Sequence, residues 1–161
     1  MSRRVIVLGV ALVIAPAILE AAGDTRRPAG ARAQGVRVIR LQGTDDMKFD
    51  VTVLQAARGE RLRVVLTSVG RMPKVAMAHN FVLLAPTVDV EAFITASALA
   101  RDAQFIAPAY ARGVLAATGL AGAGESVEVT FTAPTRPGRY PFVCSFPGHY
   151  AAGMRGVLIV K

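Results

Sequence analysis

The sequence of 161 residues has one cysteine, two histidines and no tryptophan. A single cysteine, Cys144, excludes an intramolecular disulfide and therefore the disulfide-stapled scaffolds common among small secreted proteins. Two histidines, His79 and His149, are too few for a His-rich cluster or a multi-centre metalloenzyme. No run of about 20 apolar residues occurs, which excludes a polytopic membrane protein.

Residues 1–33 have the features of an export signal. Two arginines near the N-terminus precede an apolar stretch at 5–19, and small residues around Ala33 suit a signal peptidase. Cleavage after Ala33 predicts a mature protein of residues 34–161 in the periplasm. This length is enough for one domain with its own core and too short for two.

Two alternatives concern the same leader. An uncleaved leader would anchor the protein to the membrane, with the Gly-, Pro- and Arg-rich stretch at 23–35 as a tether. The adjacent Arg3 and Arg4 also resemble a twin-arginine signal, which would export an already folded protein. The residues leave both questions open.

The basic charge of the chain is scattered. The formal net charge is +8, and residues 34–161 hold 14 basic and 9 acidic side chains. These bases occur singly and without interleaved aromatic residues, which argues against nucleic acid as a partner. A mildly basic surface favours an acidic partner.

Short β-branched runs separated by glycine and proline predict an all-β antiparallel sandwich or barrel. The predicted strands are 36–41, 49–53, 62–67, 81–84, 127–132, 140–144 and 156–160. Residues 88–109 depart from this pattern, since apolar side chains such as Val90, Phe93 and Ile94 recur at helical spacing. One helix inserted into an all-β domain is therefore expected.

A thiol, an imidazole and a thioether follow one another within 11 residues, at Cys144, His149 and Met154. His79 begins a different predicted strand. Each residue alone is more often an ordinary core or surface residue. Together, two imidazoles and a thiolate with a weak axial thioether form the donor set of blue-copper electron-transfer sites. Thiolate and thioether favour Cu(I), whereas imidazole tolerates Cu(II).

Residues 144–154 and 77–83 resemble the azurins, a group of cupredoxins. Further similar segments are 42–49, 72–74 and 122–127, so the resemblance covers essentially the whole of 34–161. It implies a Greek-key β-sandwich, with the inserted helix as a flap, and one copper ion. Its implied ligands are His79, Cys144 and His149, with Met154 axial and the carbonyl of Ala78 as a possible weak opposite ligand.

The resemblance also implies that Asn80 ties its strand to the ligand loop beside Ser145, which would limit motion of the thiolate. Two departures from azurins stand out. Azurins carry a disulfide near the N-terminus, and this chain cannot. The interval from His149 to Met154 is also one residue longer than in azurins, and the loop spacing is more similar to that of the auracyanins.

The expected function is one-electron transfer between redox proteins, without enzymatic activity. Once His79 and His149 bind one copper, no histidine remains for a second, which argues against multicopper oxidase and copper nitrite reductase chemistry. The redox partner would dock on an apolar patch around His149, implied by the resemblance and formed by Met47, Met77, Phe146, Pro147, Gly148, Ala151 and Ala152.

Two other functions share some of these residues. A periplasmic copper carrier or buffer without a redox role would use the same ligands, although such carriers favour open sites rich in Met or His. A hydrolase using Cys144 and His149 would need an acid to orient the histidine, and the sequence shows none nearby.

Overall fold

A computed structural model of the protein describes residues 35–161, so the predicted leader at 1–33 lies outside the described residues. The described chain forms a β-sandwich with a helical insertion. Its strands are β1 (Arg37–Gly43), β2 (Val53–Ala56), β3 (Arg61–Ser68), β4 (Val82–Leu84), β5 (Val114–Ala117), β6 (Ser126–Thr132), β7 (Gly138–Val143) and β8 (Arg155–Val160). The insertion holds α1 (Val90–Ala98) and the 3₁₀ turns Arg101–Ala103 and Pro108–Gly113. No helix in 35–161 is both long and apolar enough to span a bilayer.

The strands form two sheets, ordered β1-β3-β6 and β2-β8-β7-β4-β5. This arrangement confirms the predicted all-β sandwich with one helical insertion. The expectation of purely antiparallel pairing is wrong for two pairs, since β1 runs parallel to β3 and β2 parallel to β8. β2 lies in the opposite sheet, so the chain leaves the first sheet after β1 and returns in the same direction for β3. Parallel neighbours need such a crossover, whereas a hairpin joins antiparallel ones.

The core between the sheets follows from the alternation of side chains along the strands. In β3, Leu62, Val64 and Leu66 are fully buried, and the intervening residues face outward. They belong to one cluster with Phe142 of β7 and Leu158 of β8, which come from the other sheet. This packing joins the two sheets. It also fixes the end of β7, which directly precedes the loop that contains Cys144 and His149.

β4 is buried on both faces, which explains why the helix lies where it does. Leu83 faces the core between the sheets, whereas Val82 and Leu84 belong to a second cluster with Phe93 of α1. A strand covered on both faces is apolar at every position rather than alternating. Asp89 caps α1 by accepting a hydrogen bond from the backbone N–H of Ala92 at 3.1 Å.

The predicted helix at 88–109 is too long, because α1 ends at Ala98. Gln104 and Phe105 have φ of 53° and 58°, outside the right-handed helical region. Pro108 also disfavours helical geometry at the preceding Ala107, which is extended.

Two strand predictions also need correction. The strand predicted at 49–53 begins only at Val53, because Asp50 bonds to Gln42 through both its backbone and its carboxylate. β5 was not predicted, since its two alanines have low strand propensity. It forms through pairing with β4 at the edge of the larger sheet.

Candidate metal centre

The fold brings together residues that the sequence separates by up to 70 positions. His79 lies just before β4, Cys144 follows β7, and His149 lies in the loop from β7 to β8. One donor atom from each of these three residues lies within 4.8 Å of the others, and all three side chains are buried. The predicted association of His79, Cys144 and His149 is therefore present in the structure.

The donor atoms point toward one small volume. Nδ1 of His149 lies 3.2 Å from Nδ1 of His79 and 3.4 Å from Sγ of Cys144. The carbonyl oxygen of Ala78 faces the same sulfur at 4.0 Å. Two imidazole nitrogens and one sulfur thus converge, with a backbone oxygen beside them.

His79 is held by its own backbone. Its N–H donates to the carbonyl of Ala121 at 2.9 Å, and its carbonyl accepts from the N–H of Ala121 at 2.8 Å. This pair forms an isolated antiparallel bridge between two segments outside the strands. These two backbone hydrogen bonds therefore hold the segment that carries the imidazole of His79 in place.

The loop that carries His149 contains a tight turn. The N–H of His149 donates to the carbonyl of Phe146 at 3.1 Å, across Pro147 and Gly148. Gly148 has φ of 85°, which is the geometry of the third residue of a type II turn, with proline in the second position. Pro147-Gly148 therefore sets the distance between Cys144 and His149 by turn geometry.

Met154 closes the same loop and is fully buried. Its N–H donates to the carbonyl of His149 at 2.9 Å, and its carbonyl accepts from the N–H of Cys144 at 3.0 Å. A Cβ added to Gly43 would lie 2.7 Å from Cδ2 of His79 and 3.0 Å from Cε of Met154. The thioether methyl and the His79 ring therefore flank the same glycine, and Met154 lies beside the three-donor cluster.

Asn80 joins the two halves of the site, as the resemblance to azurins implied. Its Oδ1 accepts from the backbone N–H of Ser145 at 2.8 Å, and its Nδ2 donates to the Ser145 hydroxyl at 2.9 Å. Nδ2 also lies 3.4 Å from the carbonyl of Gln104 in the helical insertion. Both Asn80 and Ser145 are buried, so water does not compete for these bonds.

Residues 37–161 match the family of copper binding proteins described as the plastocyanin/azurin family. The chain belongs to this family. The azurin of Pseudomonas aeruginosa is 36% identical over 129 residues, covering 76% of this chain and 84% of that azurin. Auracyanin-B of Chloroflexus aurantiacus is 47% identical over 83 residues, which are 51% of this chain and 35% of that protein. The chain thus spans about a third of the length of this relative.

Solved structures give the same result for the fold of this plastocyanin/azurin-family chain. A structure of auracyanin B has a TM-score of 0.68 at 34% identity, covering 78% of this chain and 88% of that one. Auracyanin A, a "blue" copper protein from a green thermophilic photosynthetic bacterium, has a TM-score of 0.69 at 27% identity. That comparison covers 79% of this chain and all of the auracyanin A chain.

The donor set of this family member fits a single type 1 copper. Two imidazoles and a thiol converge with a thioether nearby, and no carboxylate is in the group of three. Hard cations such as Mg²⁺ and Ca²⁺ prefer carboxylate and carbonyl oxygens, whereas copper accepts both imidazole and sulfur ligands.

Burial shapes the titration of the donors. It raises the pKa of the Cys144 thiol to about 12, against weaker opposing hydrogen bonds. It lowers the pKa of His149 to about 4, with a further contribution from nearby His79, and it also lowers the pKa of His79. Without metal, both imidazoles are therefore neutral at pH 7 and the thiol keeps its proton, so thiolate ligation of a metal releases that proton.

An aromatic contact beside the site of this cupredoxin was not predicted from the sequence. The ring of Phe146 lies 4.8 Å from that of His149, centroid to centroid, and Phe105 packs edge-on against Phe146 at 5.0 Å. Phe105 comes from the helical insertion, where its left-handed backbone directs the chain toward the site. Nothing in residue spacing signals that backbone turn.

His149, around which the resemblance implies an apolar docking patch, is itself only 1% exposed. Phe146 covers part of the ring and is itself half-buried, and Pro147 and Gly148 are exposed next to it. The imidazole therefore lies just beneath the protein surface.

Proposed function

We propose that residues 34–161 form an exported one-electron carrier with a single type 1 copper. His79, Cys144 and His149 are the strong ligands, Met154 is the weak axial ligand, and the Ala78 carbonyl lies opposite as a weak contact. The observation that carries this proposal is the convergence of three buried donor atoms within 4.8 Å of one another. When bound, copper supplies the Cu(II)/Cu(I) couple.

The protein keeps the donors in place while charge changes at the site. The Asn80–Ser145 hydrogen bonds and the His79–Ala121 bridge hold the two ligand-bearing segments from opposite sides. Burial of all four side chains keeps water from the donors. A site held in this way has little to rearrange when an electron arrives, and this property suits a carrier.

The redox partner is proposed to dock over His149. Pro147, Gly148 and Ala151 are exposed, and they surround the point where His149 approaches the surface. Met47, Phe146 and Ala152 are half-buried beside them, whereas Met77 is nearly buried at 9% exposure. Lys48 donates a hydrogen bond to the carbonyl of Ala152, but the side chains of the patch are themselves apolar. A largely apolar patch favours brief contact, because few ion pairs have to break when the partner leaves.

We infer no enzymatic role for this domain. Metal catalysis needs a coordination position open to substrate, and here the donors are buried under the ligand loop. Among residues 35–161, no third histidine is available for a second copper. The Cys144–His149 pair has no carboxylate in its cluster to orient the imidazole, which also argues against a hydrolase.

A periplasmic copper carrier or buffer is the alternative function. It would use the same ligands but would have to release Cu(I) readily to an acceptor. The buried donors and the backbone-held loop favour retention over release. Export itself rests on the leader at 1–33, and a retained leader would tether the domain to the membrane instead.

The experiment that tests the proposal uses copper-loaded protein and three measurements: the visible spectrum, electron self-exchange and loss of copper to a chelator. The oxidised protein should show an intense visible charge-transfer band, and Cys144→Ser should abolish that band. Electron self-exchange should be fast, while a Cu(I) chelator should remove the metal slowly. Fast metal loss together with slow self-exchange would establish the copper carrier instead.

A further inference from the structure

The strands of both sheets share one end that lies opposite the proposed copper site. β1, β3 and β7 begin at this end, and β2, β6 and β8 finish there. The turn between β2 and β3 joins the sheets at this end, because Arg58 N–H donates to the Lys161 carbonyl and Gly59 N–H to the Ala133 carbonyl, each at 3.2 Å. Cys144 follows the other end of β7, a strand of six residues, so the two ends are about 20 Å apart.

Exposed basic side chains surround this shared end of the sandwich. Some come from the first residues of strands, some from the connecting turns, and one from the residue after β8. We call this surface the basic end, and its members are Arg37, Arg58, Arg61, Arg136, Arg139 and Lys161. Glu60 is the one acidic side chain among the described strand ends and turns at this place.

The basic end holds the whole net charge of the domain. Residues 34–161 contain 14 basic and 9 acidic side chains, and removing the six basic residues and Glu60 leaves eight of each sign. The rest of the domain is therefore balanced, whereas the basic end carries +5, or +4 with a terminal carboxylate on Lys161. The fold thus gathers at one place bases that occur singly along the chain.

Most of these charges are not used within the domain. Arg37 donates to Glu60 at 2.6 Å, and Nζ of Lys161 donates to the side chain of Gln55 at 3.1 Å. The other four guanidinium groups make no hydrogen bond or ion pair with another described residue, and they belong to Arg58, Arg61, Arg136 and Arg139. These four arginines are therefore available to an anionic partner.

The arrangement of the charges favours a broad anionic surface over a redox protein. The charges are spread over separate turns and strand ends, and a recess of about 300 Å³ at this end is lined by only two of them, Arg37 and Lys161. A redox protein bound here would be about 20 Å farther from the donors than one bound over His149, and electron transfer slows steeply with distance.

The position of the leader favours a membrane as that surface. The described chain begins at residue 35, two residues before β1, so a retained leader would join the domain at the basic end. A cluster of arginine and lysine beside a membrane anchor is the usual recognition element for anionic lipid headgroups. Two such weak signals together hold a protein at a membrane more firmly than either one alone.

We propose that the basic end binds the surface of an anionic lipid membrane and turns the ligand loop away from it. Binding depends on the fold and its charge alone and does not require the leader. Its consequence, a docking patch around His149 that stays open to redox partners, rests on the proposed function.

The first test is co-sedimentation of the 34–161 protein with phosphatidylglycerol vesicles and with phosphatidylcholine vesicles. Both sheets and their shared core are complete within 35–161, so this domain folds without the leader. At low salt we expect binding to the phosphatidylglycerol vesicles alone, and about 1 M salt should abolish it by screening. Absence of binding at low salt would overturn the proposal and leave an acidic protein as the partner. The metal-free protein serves equally well, so failure of the proposed function does not affect the result.

A pair of double variants locates the contact. Arg58→Gln with Arg136→Gln should lower the partition coefficient by about twentyfold or more, since each basic residue near an anionic surface contributes roughly fivefold. Arg71→Gln with Arg101→Gln removes the same charge from exposed positions toward the copper end, near Asp45 and Phe146, and should lower it by less than about fivefold. Equal losses in the two double variants would overturn the proposal, because net charge alone would then explain binding.

NMR of the metal-free protein with vesicles that contain a gadolinium-chelating lipid reports the orientation. The amide signals of Gly59 and Arg136 should broaden strongly, whereas those of Gly148 and Ala151 in the ligand loop should broaden little. This measurement needs no substitution, so it remains decisive if a variant folds poorly. Equal broadening at the two ends of the sandwich, or stronger broadening in the ligand loop, would overturn the proposed orientation.

Discussion

Asn80 and Ser145 are joined by two hydrogen bonds, from Ser145 N–H to Asn80 Oδ1 at 2.8 Å and from Asn80 Nδ2 to Ser145 Oγ at 2.9 Å. Each residue is the chain neighbour of a proposed copper ligand, His79 or Cys144. The segments that carry those ligands, just before β4 and just after β7, are thus joined next to the metal site. The resemblance to azurins implied this contact.

Asn80→Ala tests the energetic value of that cross-link. The variant leaves the Ser145 N–H buried without an acceptor, which should lower the free energy of unfolding by about 1–3 kcal/mol. Ser145→Ala is the matched control, because it keeps the backbone bond to Asn80 and loses only the hydroxyl. We expect it to cost about 1 kcal/mol or less, and chemical denaturation of the metal-free proteins measures both. Equal losses in the two variants would contradict this interpretation.

Gly43→Ala tests the close packing of His79 and Met154 over one backbone position. The new methyl would lie 2.7 Å from Cδ2 of His79 and 3.0 Å from Cε of Met154, so one of these side chains must move. We expect a loss of about 1–3 kcal/mol in stability and a changed visible spectrum of the copper-loaded protein.

The control for Gly43→Ala is Gly124→Ala. Gly124 has φ of 74° and no atom within 4 Å of an added Cβ. Backbone strain should lower stability there by about 1–2 kcal/mol while the spectrum stays unchanged. A normal spectrum in Gly43→Ala would show that the two side chains are not packed as described.

The donor residues could be predicted because their types are scarce. The chain has one cysteine and two histidines, so few sets of copper ligands other than His79, Cys144, His149 and Met154 can be chosen from it. The turn at Pro147-Gly148 could likewise be predicted, since its geometry requires glycine in the third position. Both the donor residues and the turn could therefore be predicted from the identity of the residues alone.

Other features depend on backbone direction, which residue spacing does not report. Phe105 contacts Phe146 from a turn in which both Gln104 and Phe105 adopt left-handed conformations. The half-buried Asp45, in the turn after β1, accepts a hydrogen bond from the backbone N–H of Arg71, although its neighbour Asp46 is exposed. The parallel pairing of β1 with β3 similarly follows from a crossover between sheets that strand patterns cannot reveal.

Met154→Leu tests the weak axial ligand. Leucine fills a similar volume in this buried position but provides no sulfur, so the three strong ligands should still give a blue site. The reduction potential should rise, because loss of a donor disfavours Cu(II). Spectroelectrochemistry of the copper-loaded variant measures both properties. Loss of copper binding in this variant would show that Met154 does more than tune the site.

Glu60 gives the fold a dependence on pH. Its carboxylate accepts from Arg37 Nε at 2.6 Å and from the Ala57 N–H at 2.9 Å, and the bond from Arg37 holds the pKa of Glu60 below its usual range. A lowered pKa means that this stabilisation is present above the unfolded-state pKa of about 4.3 and is lost as pH falls through the folded-state value.

Glu60→Gln should therefore lower the free energy of unfolding at pH 7 by about 1 kcal/mol or less, because solvent screens the half-exposed Arg37. The difference from the wild type should shrink as the pH falls below the unfolded-state pKa of about 4.3, and it should disappear once the pH is below the lowered pKa of Glu60 in the folded protein. Glu128→Gln is the control, since Glu128 and its partner Arg63 have side chains 50% and 45% exposed, and little change is expected. Denaturation curves at several pH values provide the comparison. A constant difference across the pH range would rule out the linkage to Glu60.

Ala151→Glu separates the electron carrier from the copper carrier. Ala151 is exposed in the ligand loop, two residues after His149, and provides no side-chain donor. Self-exchange brings two copies together over His149, so the new carboxylates would face each other. Like charges brought together across an interface cost on the order of several kcal/mol, so self-exchange should slow by at least about tenfold at low salt. Added salt should relieve part of the effect.

Ala111→Glu is the matched control for that variant. It adds the same charge at an exposed position in the 3₁₀ turn Pro108–Gly113. The carbonyl of Gly113 accepts a hydrogen bond from Ala85, which lies just beyond β4. This turn is therefore at the end of β4 away from His79. Ala111→Glu should leave self-exchange nearly unchanged, and both variants should keep the wild-type spectrum and copper affinity, because neither residue touches a donor.

A copper carrier predicts the opposite pattern, with self-exchange insensitive to residue 151 and Cu(I) lost rapidly to a competing chelator. Stopped-flow self-exchange of the two variants, measured beside Cu(I) competition, distinguishes the functions because only docking over His149 makes the rate depend on residue 151.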